Sequence, residues 1–437
     1  MKQRVLITGL GVVSSLGNSP DEIAGRIEQG EVSFERPICD GETVVSPVDG
    51  FDLRAYTGPC KERRYLNRGA QFALAAALEA IRSTGIAPGG LARAGLFVGA
   101  GPNLDIGGEF PAIEGGRLDR EGLEALWILR FLPNTAASII AQKADLHGEN
   151  LTVTTACASS LTAIGEAFRR IRDGYLDVAL AGGGDSRLSP GGILAYKKAG
   201  ALYRGEAEPA AASRPFDARR NGFVAGEGGA FFLLEEREQA LRRGAQVLGE
   251  IRGYGSSLDG RSMTAPAPDG GAAEAAVRGA LREAGVLPAE VDLVVTHGTG
   301  TLLNDAVEAG MIRRVFPDRG PAAVAIKSWI GHLAAACGAV ELAIALTVVN
   351  RGFLPEVRNL EAPCEGSLDF VRTRRQGKWP LFLIENFGFG GQNCALVVRT
   401  APHPPLPRQG GGRLRAPCPD LSGEGDVGRL TAEGLPP

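Results

Sequence analysis

The stretch Asn150–Ile171, NLTVTTACASSLTAIGEAFRRI, decides how the whole chain is read. A β-rich run ends at Thr155, a cysteine follows at position 157, and small residues then open a helical pattern. A second stretch, Ala323–Leu346, AVAIKSWIGHLAAACGAVELAIAL, has the same order of strand, reactive residue and helix, with His332 near the place that Cys157 holds. The parallel predicts a duplicated βαβ-type unit with a boundary near Arg243–Gln246. Duplicated halves would bring the two helix starts together around a pseudo-twofold axis. Both reactive residues would then face one crevice.

Outward from these stretches, short β-type runs alternate with Ala-rich helical patterns, which argues for an α/β sheet protein. Val5–Thr8 is expected as a buried first strand, with the following GLG as a turn. GLFVGAG, NLTVTTA and DVALAGGG read as further strands, and GEIRGYG, VDLVVTHG, AAVAIKS and CALVVR repeat the theme. ERRYLNRGAQFALAAALEAIRSTGI reads as one helix ending at Gly85. Leu333–Val349 is apolar but interrupted by Glu341 and slightly short for a membrane span, so a buried core helix is expected. From Ala401 the chain is rich in Pro and Gly and lacks apolar periodicity. Such a segment cannot offset its ordering entropy by burial. The expected organisation is an N-terminal half over 1–245, a C-terminal half over 246–400 and a disordered tail over 401–437.

Composition narrows the function. The 437 residues are 44% hydrophobic and 22% charged, with a net charge of −3, so no basic field supports nucleic-acid binding. The seven cysteines include no CxxC pair, which argues against a disulfide framework and for a reducing, cytoplasmic compartment. No metal-ligand spacing is present, so no metal is expected. The basic, apolar N-terminus lacks a small-residue cleavage pattern and is not read as a signal peptide. GLGVVSSLG lacks a third glycine in register and is rejected as a dinucleotide loop.

Three segments carry chemistry. A thiol at position 157 would feel the positive end of a helix dipole, which favours thiolate by only about 0.3–1 kcal/mol. A histidine is therefore needed beside it, and a cysteine without one is more often an inert small hydrophobe. Of four histidines, His297 in VVTHGTGTLLND and His332 in KSWIGHLAAACGAVE each lie at a strand–glycine–helix junction. Neutral imidazoles there could stabilise an enolate, and one lost oxyanion donor costs ~10²–10³ in rate. FGFGGQN, Phe387–Asn393, can form a tight loop whose N–H groups face a thioester oxygen, or a plain turn.

TACASS, THGTGTLLNDAVE, KSWIGHLAAACGAVE and FGFGGQN, in that order, resemble the elongating β-ketoacyl-acyl-carrier-protein synthases of the thiolase superfamily. The resemblance spans about Arg4 to Arg399 and includes RVLITGLGVVSSLG, LPNTAAS and SRPFDARRNGFVAGEGGAFFLLE. It implies a thiolase-like α/β fold of two pseudo-symmetric βαβαβαββ-type halves in αβαβα layers. It implies decarboxylative Claisen condensation of an acyl thioester with malonyl-carrier protein, in fatty acid or type II polyketide or polyene synthesis. Cys157 would be the acylated nucleophile, and His297 and His332 would assist decarboxylation. Lys327, paired with Glu341, would hold the histidine geometry, and Asp305 and Glu308 would support it. Thr299 and Thr301 would line the phosphopantetheine tunnel. Phe389 would gate acyl access and share the oxyanion hole with Cys157. No cofactor is implied beyond the phosphopantetheine of an acyl carrier protein. The expected partners are that carrier protein and a second ketosynthase-like subunit, identical or not, with neither nucleic acid nor membrane.

Departures from the family pattern bear on the pathway. TTACASSLTA is closer to polyketide ketosynthases, Asn221 and Gln392 replace an aspartate and a threonine, and Trp329 is bulky for its position. Gly107 and Gly108 stand where a large residue would close the acyl pocket, which points to a pocket deep enough for a long chain. Lys61, Arg63, Arg64, Arg68, Arg219 and Arg220 are candidates for docking an acidic carrier protein, Arg64 and Arg68 foremost. Two alternatives compete. A degradative thiolase needs a second cysteine in a glycine context that Cys394 does not match, and a non-catalytic chain-length subunit would lack Cys157.

Overall fold

The computed structural model describes residues 2–37, 40–104, 125–317 and 320–401. Its main sheet contains two runs of strands with the same order and sense. In the first, Val5–Val13 pairs antiparallel with Ala225–Glu236, and that strand pairs antiparallel with Val178–Ser186. Gly95–Gly99 and then Asn150–Val153 follow in parallel. In the second, Gly249–Leu258, Gln392–Thr400 and Leu381–Phe387 are antiparallel neighbours, and Leu293–Val295 and Ala322–Val324 follow in parallel. The two runs meet where Val5–Ile7 pairs with Ile251–Gly249.

Apolar faces stack these runs into five layers, αβαβα. Helix Arg68–Arg82 and helix Thr135–Ala144 cover the outer face of the first run. Gly271–Ala284 and Leu302–Val315 cover the outer face of the second. Helices Ser159–Arg172 and Cys337–Asn350 fill the centre against strands of both runs. Cys337–Val349 is buried throughout, as a helix that is apolar all round should be. The described residues form one compact unit.

Several local expectations change. The GLG motif lies inside the first strand, which continues to Val13. Its glycines give room to the helix above: a Cβ on Gly11 would lie 2.0 Å from the Ala76 carbonyl oxygen, and one on Gly9 2.5 Å from that of Ala80. The long helix starts at Arg68 behind an Asn67 cap, and Lys61–Tyr65 is a separate 3₁₀ turn. Two central strands were not anticipated, Ala225–Glu236 and Leu381–Phe387. Glycines broke the apolar pattern in the first, and buried Glu385 and Asn386 broke it in the second. The segment with Gly107 and Gly108, and the tail from residue 402, lie outside the described residues.

Candidate active site

Both reactive stretches use one backbone device. After strand Asn150–Val153, Ala156 takes a left-handed φ of 48°, a 3₁₀ turn spans Ala156–Ala158, and helix Ser159–Arg172 follows. After Ala322–Val324, Ala334 takes φ 46°, a 3₁₀ turn spans Ala334–Ala336, and helix Cys337–Asn350 follows. The counterpart of Cys157 is thus Ala335, and His332 sits two residues before the strained alanine, at the place of Thr154. The helix starts are tied together, since the Ala339 N–H donates to the Ser160 hydroxyl at 3.0 Å. Ser159 braces the cysteine turn by accepting from the Thr155 N–H at 2.9 Å and donating to the Ala156 carbonyl at 2.7 Å.

The crevice brings Cys157 Sγ and a ring nitrogen each of His297 and His332 within 4.8 Å of one another. The imidazole tautomers follow from their neighbours. His332 Nδ1 accepts the Ala334 N–H at 2.9 Å. His297 Nδ1 faces Lys327 Nζ and Asn386 Nδ2, each at 3.2 Å. The Asn386 amide cannot be turned over, because its Nδ2 also donates to Glu341 Oε2 at 2.9 Å. Each Nδ1 is therefore an acceptor, and each Nε2 carries the proton. The same trio has the composition of a metal site. A metal would need Nε2 lone pairs, which this tautomer does not offer.

Burial dominates the electrostatics. It pulls the His332 pKa down to about 3, with the Lys327 charge adding to the effect. It pulls His297 well below the ordinary histidine value, with Lys327 and then His332 adding. Both rings are neutral N–H donors at physiological pH. Burial also works against the Lys327 ammonium, but the Glu341 carboxylate offsets it and holds the lysine above its ordinary value. Burial pushes the Cys157 thiol up to about 11, although the Lys327 charge and the Phe389 N–H oppose it. The modest pull of the helix start toward thiolate, about 0.3–1 kcal/mol, is opposed by loss of solvent around a thiol that is 8% exposed. At rest Cys157 is a thiol.

Carboxylates hold the His297 loop by its backbone. Glu308 accepts the N–H groups of His297 at 2.6 Å and Gly298 at 2.9 Å. Asp305 accepts those of Thr299 at 3.0 Å, Gly300 at 3.1 Å and Phe216 at 2.7 Å. The Thr299 and Thr301 hydroxyls lie 2.9 Å apart and line a cavity of about 340 Å³ that also takes in Cys157, His297, His332 and Phe389. Leu302, Leu303 and Phe389 are 58%, 64% and 39% exposed at its rim.

The docking candidates part company. Neither Arg64 nor Arg68 lines this cavity. Arg68 is committed elsewhere: its guanidinium meets buried Glu227 at 2.6 Å and donates to the Val48 carbonyl at 2.8 Å. Arg220 is buried, donates to the carbonyls of Asp217, Thr301 and Leu302, and faces Asp305 at 3.6 Å, so it braces the site and is withdrawn as a docking side chain. Arg64 is exposed and lies over the Tyr65 ring at 4.9 Å. Two of the family departures, Asn221 and Trp329, find partners. Asn221 lines the cavity and pairs with the Arg204 backbone. Buried Trp329 donates its indole N–H to the Glu356 carbonyl at 2.8 Å. Sequence reasoning missed Asn386, Asp185 and Tyr196. Asp185 accepts the Ala335 N–H at 3.0 Å and pairs with Arg187 at 2.9 Å, and Tyr196 lines the cavity. Only tertiary contacts mark these three.

Residues 2–240 match the family "Beta-ketoacyl synthase, N-terminal domain" and residues 248–361 match "Beta-ketoacyl synthase, C-terminal domain". The chain is 36% identical over 418 residues to 3-oxoacyl-[acyl-carrier-protein] synthase 2 of Coxiella burnetii, covering 91% of this chain and 98% of that protein. It superposes on the ishigamide ketosynthase/chain length factor with a TM-score of 0.83 at 29% identity, covering 92% of this chain and all of that one. A type II polyketide ketosynthase, solved as AntDE:AntF with its acyl carrier protein and bound to the hexaketide, gives 0.81 at 28% identity, with the same coverage. The chain belongs to the beta-ketoacyl synthase family and is an acyltransferase with a thiolase-like fold.

Proposed function

We propose that the chain condenses an acyl thioester with malonyl-carrier protein, using Cys157 as nucleophile and His297 and His332 as enolate donors. The observation that carries this reading is the pair of neutral imidazoles, both with Nδ1 filled by donors, turned on one thiol in one cavity. In the first half-reaction the Cys157 sulfur attacks the acyl carbonyl, the carrier thiol leaves, and the cysteine proton passes to that leaving thiol. No protein group need retain it. The N–H groups of Cys157 and Phe389 would hold the tetrahedral oxyanion, and the Phe389 N–H already reaches the sulfur. In the second, malonyl loses carbon dioxide while the two Nε2–H groups stabilise the enolate oxygen. The enolate carbon then attacks the acyl-cysteine, the β-ketoacyl chain leaves on the carrier, and the cysteine thiolate takes up one proton.

Lys327 and Glu341, with Asn386, keep the His297 tautomer. Asp305 and Glu308 set its loop. Thr299 and Thr301 would bind the phosphopantetheine arm, the only prosthetic group the reaction needs. Arg64 is the remaining foremost candidate for docking an acyl carrier protein, and a ketosynthase-like subunit would complete a dimer. The halves 1–245 and 246–400 are read as duplicates, in keeping with the repeated strand order. No helix among the described residues is long and apolar enough to cross a membrane, and we place the enzyme in the cytoplasm. The non-catalytic reading fails on the presence of Cys157. Among the described residues the thiolase reading lacks a second thiol lining the cavity, because neither Cys337 nor Cys394 lines it. Intact mass after incubation with acyl-carrier protein should show one acyl adduct, absent from Cys157→Ala, and discharge of that adduct should require malonyl-carrier protein. Discharge by a non-decarboxylating acetyl donor would sink the reading in favour of a thiolase.

A further inference from the structure

Strand Leu381–Phe387 carries two adjacent buried polar residues, and strand alternation sends them to opposite faces. Asn386 points into the central layer, to Glu341 and His297. Glu385 points the other way, on the side of Leu381 and Leu383, toward the outer helices. It is 0% exposed, and among the described residues neither carboxylate oxygen meets a donor. Its side-chain neighbour is Glu308 on helix Leu302–Val315. Glu308 is well supplied, with the N–H groups of His297 and Gly298 and the amide of Asn304 at 2.9 Å.

Two buried carboxyl groups in contact cannot both ionise. At least one proton must lie between them, and burial raises Glu308 as well, to about 7. Glu308 has three donors and Glu385 has none, so the proton belongs on Glu385, whose O–H then supplies Glu308 with a fourth. The titratable groups bearing on the pair are Asp305 beside Glu308, Lys327 on the His297 side, and Cys394 on the neighbouring strand. No cation acts directly on Glu385. We propose that Glu385 is a carboxylic acid kept protonated at neutral pH, and that it positions His297 by clamping Glu308. Burial, followed by the Glu308 charge, holds its carboxyl well above the ordinary range. The consequence for catalysis rests on the role proposed for His297, but the proton itself does not.

The sign of the pH effect follows. An unfolded glutamate is ionised above its ordinary pKa, whereas folded Glu385 keeps its proton. The folded state therefore binds one more proton, and its stability falls as pH rises. Glu385→Gln supplies an N–H donor that cannot ionise. The two proteins should melt alike near pH 5, and the variant should gain as pH rises, by up to about tenfold in folding constant per pH unit. Difference infrared spectra at neutral pH should show a protonated-carboxyl band in the wild type that is absent in Glu385→Gln. Malonyl decarboxylation should keep its rate further into alkaline pH in Glu385→Gln, whereas Glu385→Ala should lower it at every pH. A melting difference that stays flat with pH, or a wild type without the carboxyl band, overturns the proposal. Both readouts work without substrate, so a failure of the condensation reading alone would leave them intact.

Discussion

At Cys157 two effects oppose each other, and their magnitudes decide the resting state. The helix start favours thiolate weakly, and burial raises the thiol to about 11. The alkylation rate of Cys157 by a small neutral reagent should therefore climb about tenfold per pH unit from pH 7 and level off only near the thiol's own value. A plateau below pH 8 would show an activated thiolate. The histidines predict the reverse pattern. His332 titrates near 3 and His297 well below its ordinary value. Malonyl decarboxylation should thus show no acid limb near pH 6.5, where an ordinary imidazole would gain its proton. His297→Ala or His332→Ala removes one of the proposed enolate donors, and each should cost ~10²–10³ in decarboxylation. Self-acylation should be partly retained, because the Phe389 N–H and the turn at Cys157 remain. Equal loss of both half-reactions would contradict this division of roles.

Among the elements, the two strained alanines and the buried Lys327–Glu341 pair matter most. Ala156 and Ala334 hold left-handed φ values, a region that costs a residue with a Cβ roughly 1–2 kcal/mol. A β-branched side chain fits that region far worse. Ala156→Val should therefore lower the melting temperature and abolish acylation, while Ala156→Gly should keep the fold. Lys327 and Glu341 are 1% and 0% exposed. Removing one charge strands the other, at about 3–5 kcal/mol. Lys327→Met should be strongly destabilised by calorimetry, and adding Glu341→Leu should recover part of the loss. An additive double mutant would show that the pair is not coupled. The elements that sequence pattern named well were those with clean apolar runs, such as Gly95–Gly99 and Val178–Ser186. Leu381–Phe387 escaped because Glu385 and Asn386 sit in its interior, where local pattern yields to the site.

On the scale of the molecule, the basic residues around the start of the long helix divide into structure and surface. Arg68 neutralises Glu227, a buried carboxylate, whereas Arg64 stands at the surface. Arg64→Glu should raise the KM for a carrier-bound substrate several-fold and leave a small thioester substrate unaffected, with a steeper effect at low salt. Arg68→Glu should instead lower the melting temperature and reduce turnover of both substrates. An unchanged KM in Arg64→Glu would remove it from the docking surface.

The sequence by itself determined the α/β class and the family, and it singled out Cys157, His297 and His332 as the candidates for the proposed chemistry. These depend on short motifs whose residues are neighbours in the chain and whose chemistry is intrinsic to the side chain. Tertiary structure decided the rest. The thiol's protonation, the imidazole tautomers, the commitment of Arg68 to Glu227, and the roles of Asn386 and Glu385 all depend on groups far apart in sequence. Desolvation and hydrogen-bond supply are properties of a packed environment. One strand can therefore send Asn386 to His297 and its neighbour Glu385 to the opposite face, and only the fold shows what meets each of them.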